Sequence, residues 1–340
     1  MFEGLGDLLR LLAVPLFGWA ALRDVRTRRV PNRVWYVLGG LGIVLLAVDL
    51  LRWYPFTGRF GTLRLVQVGV SVLFVAPLGY GFWRIGGFGG ADAKALMALA
   101  VLFPTYPTYF LPESLVALGL PSVLPVQPTA VGVFSLSILT DTVLVGMAFP
   151  LVLAARNVAA GRIGNAMFFG RVVPVVELPA VHGRLFETRE GFSRSGLDLD
   201  ALRMYLRWRG CSLAELRLNS TRYRNPESVC ETYPPTDGAV DAGGVAGDDE
   251  GPLQSDGGED EHPTPIEDPW AAERFLEEIQ YSAYGTDTDT LREGLETVVE
   301  REEVWISPGL PFIVPMFVGL VVAVTYGDLL YGLLVAVGMV

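Results

Sequence analysis

The sequence predicts an all-α polytopic membrane protein of six transmembrane helices, with a cytoplasmic α+β, partly disordered insertion between helices five and six. Three observations carry this prediction. Apolar residues make up 51% of the chain and the mean hydropathy is +0.39, yet the formal net charge is −11. The two coexist only where the charge is gathered into a separate polar part. Six segments, 4–22, 34–51, 63–83, 93–111, 130–155 and 311–337, come near the run of about 20 mostly apolar residues that a spanning helix needs. Between the last two lies the polar stretch 156–310, too long for a simple loop.

The first segment begins with Glu3 and Asp7 instead of a basic region, and no small-residue cleavage site precedes Arg23. It reads as a retained helix and not as a secretory signal. Basic residues then set the orientation. The first connection carries Arg23, Arg26, Arg28, Arg29 and Arg33, the third Arg84 and Lys94, and the segment after the fifth helix Arg156 and Arg162. Stretch 103–129 has no basic residue, while the short second loop dissents with Arg52 and Arg59. The positive-inside bias places the first, third and fifth connections in the cytoplasm and both termini outside. Asp24 and Asp92 therefore share the cytoplasmic face of a multi-pass cell-membrane protein.

The expected organisation is a membrane domain over 1–155, a cytoplasmic insertion over 156–310, and a last helix over 311–340. Within the insertion, 171–188 reads as short strands. Stretch 198–209 reads as an amphipathic helix, with Leu202, Tyr205, Leu206 and Trp208 packed and Arg203, Arg207 and Arg209 solvated. From Asn225 to Glu273 there is no Lys or Arg, and few apolar residues. Such a segment cannot bury enough surface to offset its ordering entropy, so 234–268 is expected to be disordered. Two short helices, 270–280 and 287–301, are expected after it.

Several function classes fall away. Cys211 and Cys230 form no C-x-x-C pair, and His182 and His262 have no neighbour at ligand spacing, so no metal and no cofactor is expected. An acidic chain is repelled by phosphates, so no nucleic-acid partner is expected. The acid excess suits solubility in a salt-rich cytoplasm and says nothing of activity.

Two stretches carry candidate chemistry. The first runs from Asp24 through Val30, Pro31 and Asn32 to Arg33. By itself it is equally well read as a positive-inside loop in which Asp24 only tempers the charge. The second is the glycine-rich break 86–90, followed by Ala91, Asp92, Ala93 and Lys94, the single lysine of the chain. Two carboxylates close together at a low-dielectric boundary cannot both ionise easily, so a pair can share one proton near neutral pH. The ionised member can take a proton from an attacking water while the protonated one polarises a carbonyl. Side-chain-free backbone at Gly89 and Gly90 can admit an extended peptide for main-chain pairing.

On these residues the chain resembles the archaeal prepilin and preflagellin peptidases, of the GxGD class of membrane aspartyl proteases related to type IV prepilin peptidases. Asp24 with Val30, Pro31 and Asn32 is similar to the family's first-aspartate motif. Gly89, Gly90, Ala91, Asp92, Ala93 and Lys94 fall on GxGDxK, departing only at Ala91, where the family has glycine. Stretch 305–316 resembles the approach to the family's last helix, and the acidic stretch lies outside the resemblance. The resemblance implies an aspartic-type endopeptidase with Asp24 and Asp92 catalytic and with Gly89, Gly90, Ala91 and Lys94 supporting the substrate loop. It implies pilin-like or archaellin precursors as partners, each losing a short basic leader at the cytoplasmic membrane face. Lys94 is either a counter-charge to Asp92 or an interface anchor, and Arg28 and Arg29 read as topology anchors. Oligomeric state is left open. The alternative reading is a secondary transporter or ion channel using the intramembrane acids Asp141 and Asp328; the blander reading of those two is interhelical hydrogen bonding.

Overall fold

Apolar content makes the helices of the first part of the chain; proline, glycine and trapped polar groups decide where they stop. The computed structural model describes residues 4–85, 87–188, 191–193, 195–234, 236–240, 268–279, 283–309 and 311–339. The chain divides into two units, Met1–Phe149 with Pro311–Val340, and Pro150–Leu310. Among the described residues four helices are long and apolar enough to cross a membrane: α1 (Leu5–Thr27), α2 (Asn32–Trp53), α3 (Gly58–Arg84) and α5 (Phe134–Ala159).

The other two expected spans differ from expectation. The fourth, 93–111, forms helix only as α4 (Gly90–Leu102). Pro104 and Pro107 follow, and a proline has no N–H to donate to the carbonyl one turn back. The Ala100 carbonyl accepts from Ser71 Oγ instead, at 2.6 Å, and Ser71 also meets Ser135 Oγ at 2.6 Å. Ser71 opens a π-helical segment of α3 (Ser71–Val75), the kind of local widening that re-aims a helix face. The sixth, 311–337, is broken into α8 (Ile313–Thr325) and α9 (Leu329–Ala336). At 13 residues each, α4 and α8 reach about 20 Å, short of a hydrocarbon core of about 30 Å.

The break after α8 is built, not frayed. Gly327, at φ 108°, turns the chain where a side chain would strike the Gln127 carbonyl. Gln127 N donates to Tyr326 O at 2.6 Å, and Asp328 N donates to Gln127 O at 3.1 Å. Leu329 N donates to Asp141 Oδ1 at 2.9 Å and Tyr331 N to Asp328 Oδ1 at 2.8 Å. Helix ends inside an apolar bundle need such partners, because an unsatisfied backbone group there costs several kcal/mol.

Small residues let the helices approach. A methyl on Gly42 of α2 would lie 3.0 Å from the Leu102 nitrogen, and one on Gly319 of α8 would lie 2.7 Å from the Thr142 nitrogen. Near the start of α1 the buried Arg10 gathers three elements. Its Nε donates to Leu102 O at 2.8 Å, Nη1 to Asp7 Oδ1 at 2.7 Å, and Nη2 to Asp49 Oδ2. Asp7 Oδ2 in turn accepts from Thr108 N at 3.0 Å. Asp49, near the end of α2, is thus a partner of a buried guanidinium. Past α4 a two-stranded ribbon, β1 (Tyr109–Phe110) with β2 (Val123–Leu124), leads back to α5.

In the second unit the predicted strands are present, shorter than drawn. β3 (Arg171–Pro174) and β4 (Arg184–Leu185) flank β7 (Glu303–Ser307), antiparallel on both sides, and β5 (Glu187–Thr188) pairs with β6 (Gly191–Phe192). The central strand comes from far along the chain, so local sequence could not reveal it. The expected amphipathic helix is α6 (Leu199–Trp208), capped by Asp198 Oδ1 accepting from Asp200 N at 2.9 Å. Its Leu202, Tyr205, Leu206 and Trp208 are buried as expected. Its arginines are not simply solvated. Arg203 Nε donates to Gly238 O at 2.6 Å, and the buried Arg209 donates to Ser228 Oγ at 2.6 Å. The expected helix 287–301 is α7 (Thr288–Glu300), and helix 270–280 shortens to Ala272–Glu278 behind a 3-10 turn. Most of the acidic stretch 234–268 lies outside the described residues. Residues 236–240, at its start, pack on α6 through that Arg203–Gly238 bond.

Candidate active site

The first connection is shaped by the end of α1. Arg28 takes a left-handed conformation (φ 54°) and its N–H donates to Asp24 O at 2.9 Å, closing the helix one turn after that aspartate. Thr27 Oγ1 and Arg23 Nε both bind Arg29 O, at 3.1 Å each, which folds the arginine loop back on the helix end. Pro31, extended at ψ 138°, then starts α2 at Asn32. Asp24 is 8% exposed, so its carboxylate lies within the bundle and not on the loop surface.

The second stretch is more ordered than a free glycine loop. Gly86 lies outside the described residues. Gly87 N and Phe88 N both donate to Phe82 O, at 2.8 and 3.2 Å. The Phe88 ring sits 5.0 Å from Phe82 and 4.7 Å from Phe312, centroid to centroid, pinning the loop between α3 and the entry to α8. Gly89, extended at ψ 156°, precedes α4, and Asp92 Oδ2 reaches back to accept from Gly89 N at 3.1 Å. That is one half of a capping box, with glycine supplying no side chain for the other half. A methyl on Gly89 would lie 2.9 Å from Asp92 Oδ2. The glycine therefore makes room for the aspartate itself. A methyl on Gly90 would meet only Trp83 Nε1, at 3.7 Å, and Ala91 packs against the membrane core.

Asp92 lies in the field of Asp24, and the Arg28 guanidinium acts on both carboxylates. The two sequence-distant acids are therefore brought to one place, with a cation beside them. Lys94 has a further partner that neither expectation named. Its Nζ donates to Asn32 Oδ1 at 2.8 Å, linking the start of α4 to the start of α2. Both ends of that bond belong to the motif stretches, so it holds the Asp24 and Asp92 segments in register. Arg28, read from sequence only as a topology anchor, belongs to the site. Its spacing of one helical turn from Asp24 was the available signal.

The two intramembrane acids of the alternative reading are used at the helix break. Asp141 is fully buried and Asp328 is 5% exposed; besides their backbone bonds, Asp328 Oδ2 accepts from Thr140 Oγ1 at 3.2 Å. In the second unit the two cysteines are free thiols: Cys230 is exposed, and burial pushes the Cys211 thiol up to about 12.

Comparison with known proteins bears on the same residues. The model of the type IV leader peptidase family matches residues 11–151, the stretch that holds both aspartates. A model of the archaeal peptidase A24 C-terminus, type II, matches residues 252–329. That second match reaches into the acidic stretch expected to lie outside the resemblance. The preflagellin peptidase of Methanococcus voltae is 30% identical over 93 residues, covering 26% of this chain and 36% of the relative's own length. The aligned part is thus about a third of that relative. Residues 11–151 are similar to the type IV leader peptidase family and residues 252–329 to an archaeal C-terminal part of the peptidase A24 group, and together with the relative these matches support an archaeal prepilin or preflagellin peptidase.

Proposed function

We propose that the protein is a membrane aspartyl endopeptidase that removes the short basic leader of pilin-like or archaellin precursors, with Asp24 and Asp92 as its catalytic pair. The observation that carries this reading is the meeting of two motif aspartates from different helices, in each other's field, at the arginine-rich end of the bundle. In this mechanism the pair holds one proton. The ionised carboxylate takes a proton from water as the water oxygen bonds to the scissile carbonyl carbon. The protonated partner donates to the carbonyl oxygen as charge develops there. Collapse of the tetrahedral species breaks the C–N bond, and a proton from the pair goes to the leaving amine. The two apparent pKa values belong to the pair and not to either residue.

Orientation is part of the proposal. The five arginines after α1, with Arg84 and Lys94, support a site at the cytoplasmic face of the cell membrane with the termini outside. The short helices α4 and α8 complete a six-helix bundle. A basic leader followed by an apolar helix suits that position: the leader meets carboxylates at the interface, and the helix stays in lipid. Gly89, Gly90 and Ala91 flank the scissile segment, and Lys94 supports the loop through Asn32.

The test is direct. Membranes containing the protein are incubated with candidate precursors, and the new N-terminus is sequenced. Cleavage at the junction of leader and apolar helix is expected, abolished by Asp24→Asn and by Asp92→Asn. Cleavage that survives both substitutions would sink the pair. Failure to cut any precursor, with cation-driven uptake that depends on Asp141, would favour the transporter reading.

A further inference from the structure

We propose that the turn 160–170, just past the end of α5, is a lipid-interface contact, in which Ile163 and Phe168 enter the headgroup layer of an anionic bilayer. The inference does not rest on the proteolytic reading. The turn leaves α5, which is apolar and long enough to span a membrane, and in its last part Leu151, Val152 and Val158 are exposed. The turn continues that apolar surface: Ile163 is 77% exposed, and Phe168 and Phe169 are also on the surface. A soluble surface seldom groups large apolar side chains next to one another in this way.

Rigidity distinguishes the turn from a frayed helix end. The buried Asn157 donates through Nδ2 to both Met167 O and Gly170 O, at 2.8 Å each. Its own carbonyl accepts from Arg162 N at 2.8 Å. Met167 N, Phe169 N and Gly170 N donate within the turn, to Gly164 O, Ala166 O and Ala166 O. In the 3-10 turn 165–168 the Met167 N–H and the Ala166 and Met167 carbonyls thus have partners, which lowers the cost of approaching a low-dielectric layer. One side chain, Asn157, fixes the turn against the end of the helix from which it emerges.

Charge selects the occupant. In a chain of net charge −11, no acidic residue occurs between Asp141 and Glu177, while Arg156, Arg162 and Arg171 fall in that interval. Arg162 pairs with Glu303 at 3.4 Å, while Arg156 and Arg171, beside exposed apolar residues in a stretch free of acids, complement anionic headgroups over a hydrocarbon boundary. An acidic protein partner would want the arginines but not the adjoining Ile and Phe at the level of a membrane helix end.

The experiment uses the full chain with Cys211→Ser and Cys230→Ser, carrying Ile163→Cys or Phe168→Cys labelled with a small environment-sensitive fluorophore. The labelled protein is placed in bilayer discs of equimolar phosphatidylcholine and phosphatidylglycerol. A control label goes at Asp289→Cys on α7, where the side chain is 95% exposed. Lipid bearing a nitroxide near its headgroup should remove most of the emission at 163 and 168, and aqueous iodide little. Position 289 should show the reverse. Quenching of 163 and 168 by iodide and not by the nitroxide lipid would overturn the proposal. So would protection from both quenchers, which would mark a protein-covered surface.

Discussion

Two pairs of aspartates lie in the membrane unit, and their surroundings differ. Asp141 and Asp328 are buried where α8 breaks, and three backbone or hydroxyl donors, Leu329 N, Tyr331 N and Thr140 Oγ1, converge on them. Asp141 Oδ1 and Asp328 Oδ1 accept from the N–H groups of a helix that restarts inside an apolar bundle, and Asp328 Oδ2 accepts from Thr140. The buried Asp141 Oδ2 has no hydrogen-bond partner among the described residues. Asp24 and Asp92 sit where two connections meet. Asp92 accepts from Gly89 N, and the charges nearby are Asp24 and Arg28. The lesson is that an intramembrane acid is not functional by location alone. In both pairs the two acids lie in each other's field; what separates the pairs is that Asp141 and Asp328 sit at the helix break, while Asp24 and Asp92 sit at the arginine-rich end beside Arg28. The Arg10 cluster makes the same point at the other end of α1, where Asp7 and Asp49 are held by a guanidinium that leaves them no free role.

The comparison can be broken at its strongest point first. Asp24→Asn and Asp92→Asn should each lower precursor cleavage by at least about 10³-fold while leaving the thermal midpoint in detergent nearly unchanged. Loss of folding in both variants would make them structural acids like the second pair. Next comes Arg10→Ala, which strands two carboxylates at 20% and 13% side-chain exposure. Breaking one partner out of a buried ion cluster costs about 3–5 kcal/mol, measurable by unfolding in mixed micelles. A loss below about 1 kcal/mol would mean that the cluster is effectively solvated.

Asp328→Ala removes the acceptor for Tyr331 N and Thr140 Oγ1. A cost of about 1–3 kcal/mol is expected for the unsatisfied groups, with cleavage retained in the folded fraction. Selective loss of turnover with unchanged stability would move Asp328 into the functional class. The smallest effect belongs to the second unit. Burial pulls Asp268 upward, but the Arg292 guanidinium and the N–H groups of Glu273 and Arg274 outweigh it and hold the carboxyl below its ordinary value. Because the folded value is depressed, this stabilisation is complete above the ordinary carboxylate range and is lost as pH falls through it. Asp268→Asn should cost about 1 kcal/mol at neutral pH and little at the acid end, read from unfolding curves across that range. An equal cost at both ends would remove the charge from the explanation.

Much of the candidate site was legible before any coordinates. Asp24 with Val30, Pro31 and Asn32, and Gly89 through Lys94, are local patterns with local chemistry, and the charge asymmetry put both on one face. The local pattern did not carry roles that depend on neighbours. Gly89 proved to clear space for the Asp92 carboxylate, Lys94 to bind Asn32, and Arg28 to belong with the acids; each involves an atom at least three positions away. The same holds for strand β7, whose partners β3 and β4 lie more than a hundred residues earlier.

By itself, then, the sequence determined the class of the protein, because hydropathy, charge segregation and helix periodicity act residue by residue. It determined the two aspartate stretches and the amphipathic helix α6 for the same reason. Pro104, Pro107 and Gly327 mark the ends of α4 and α8 in the sequence, but only tertiary structure decided how those ends are satisfied, by Ser71, Gln127 and Asp141 accepting or supplying the hydrogen bonds that the breaks exposed. It also decided which acids meet at the helix break and which meet beside Arg28. A carboxylate's role follows from the donors and charges that surround it, and those arrive from distant parts of the chain.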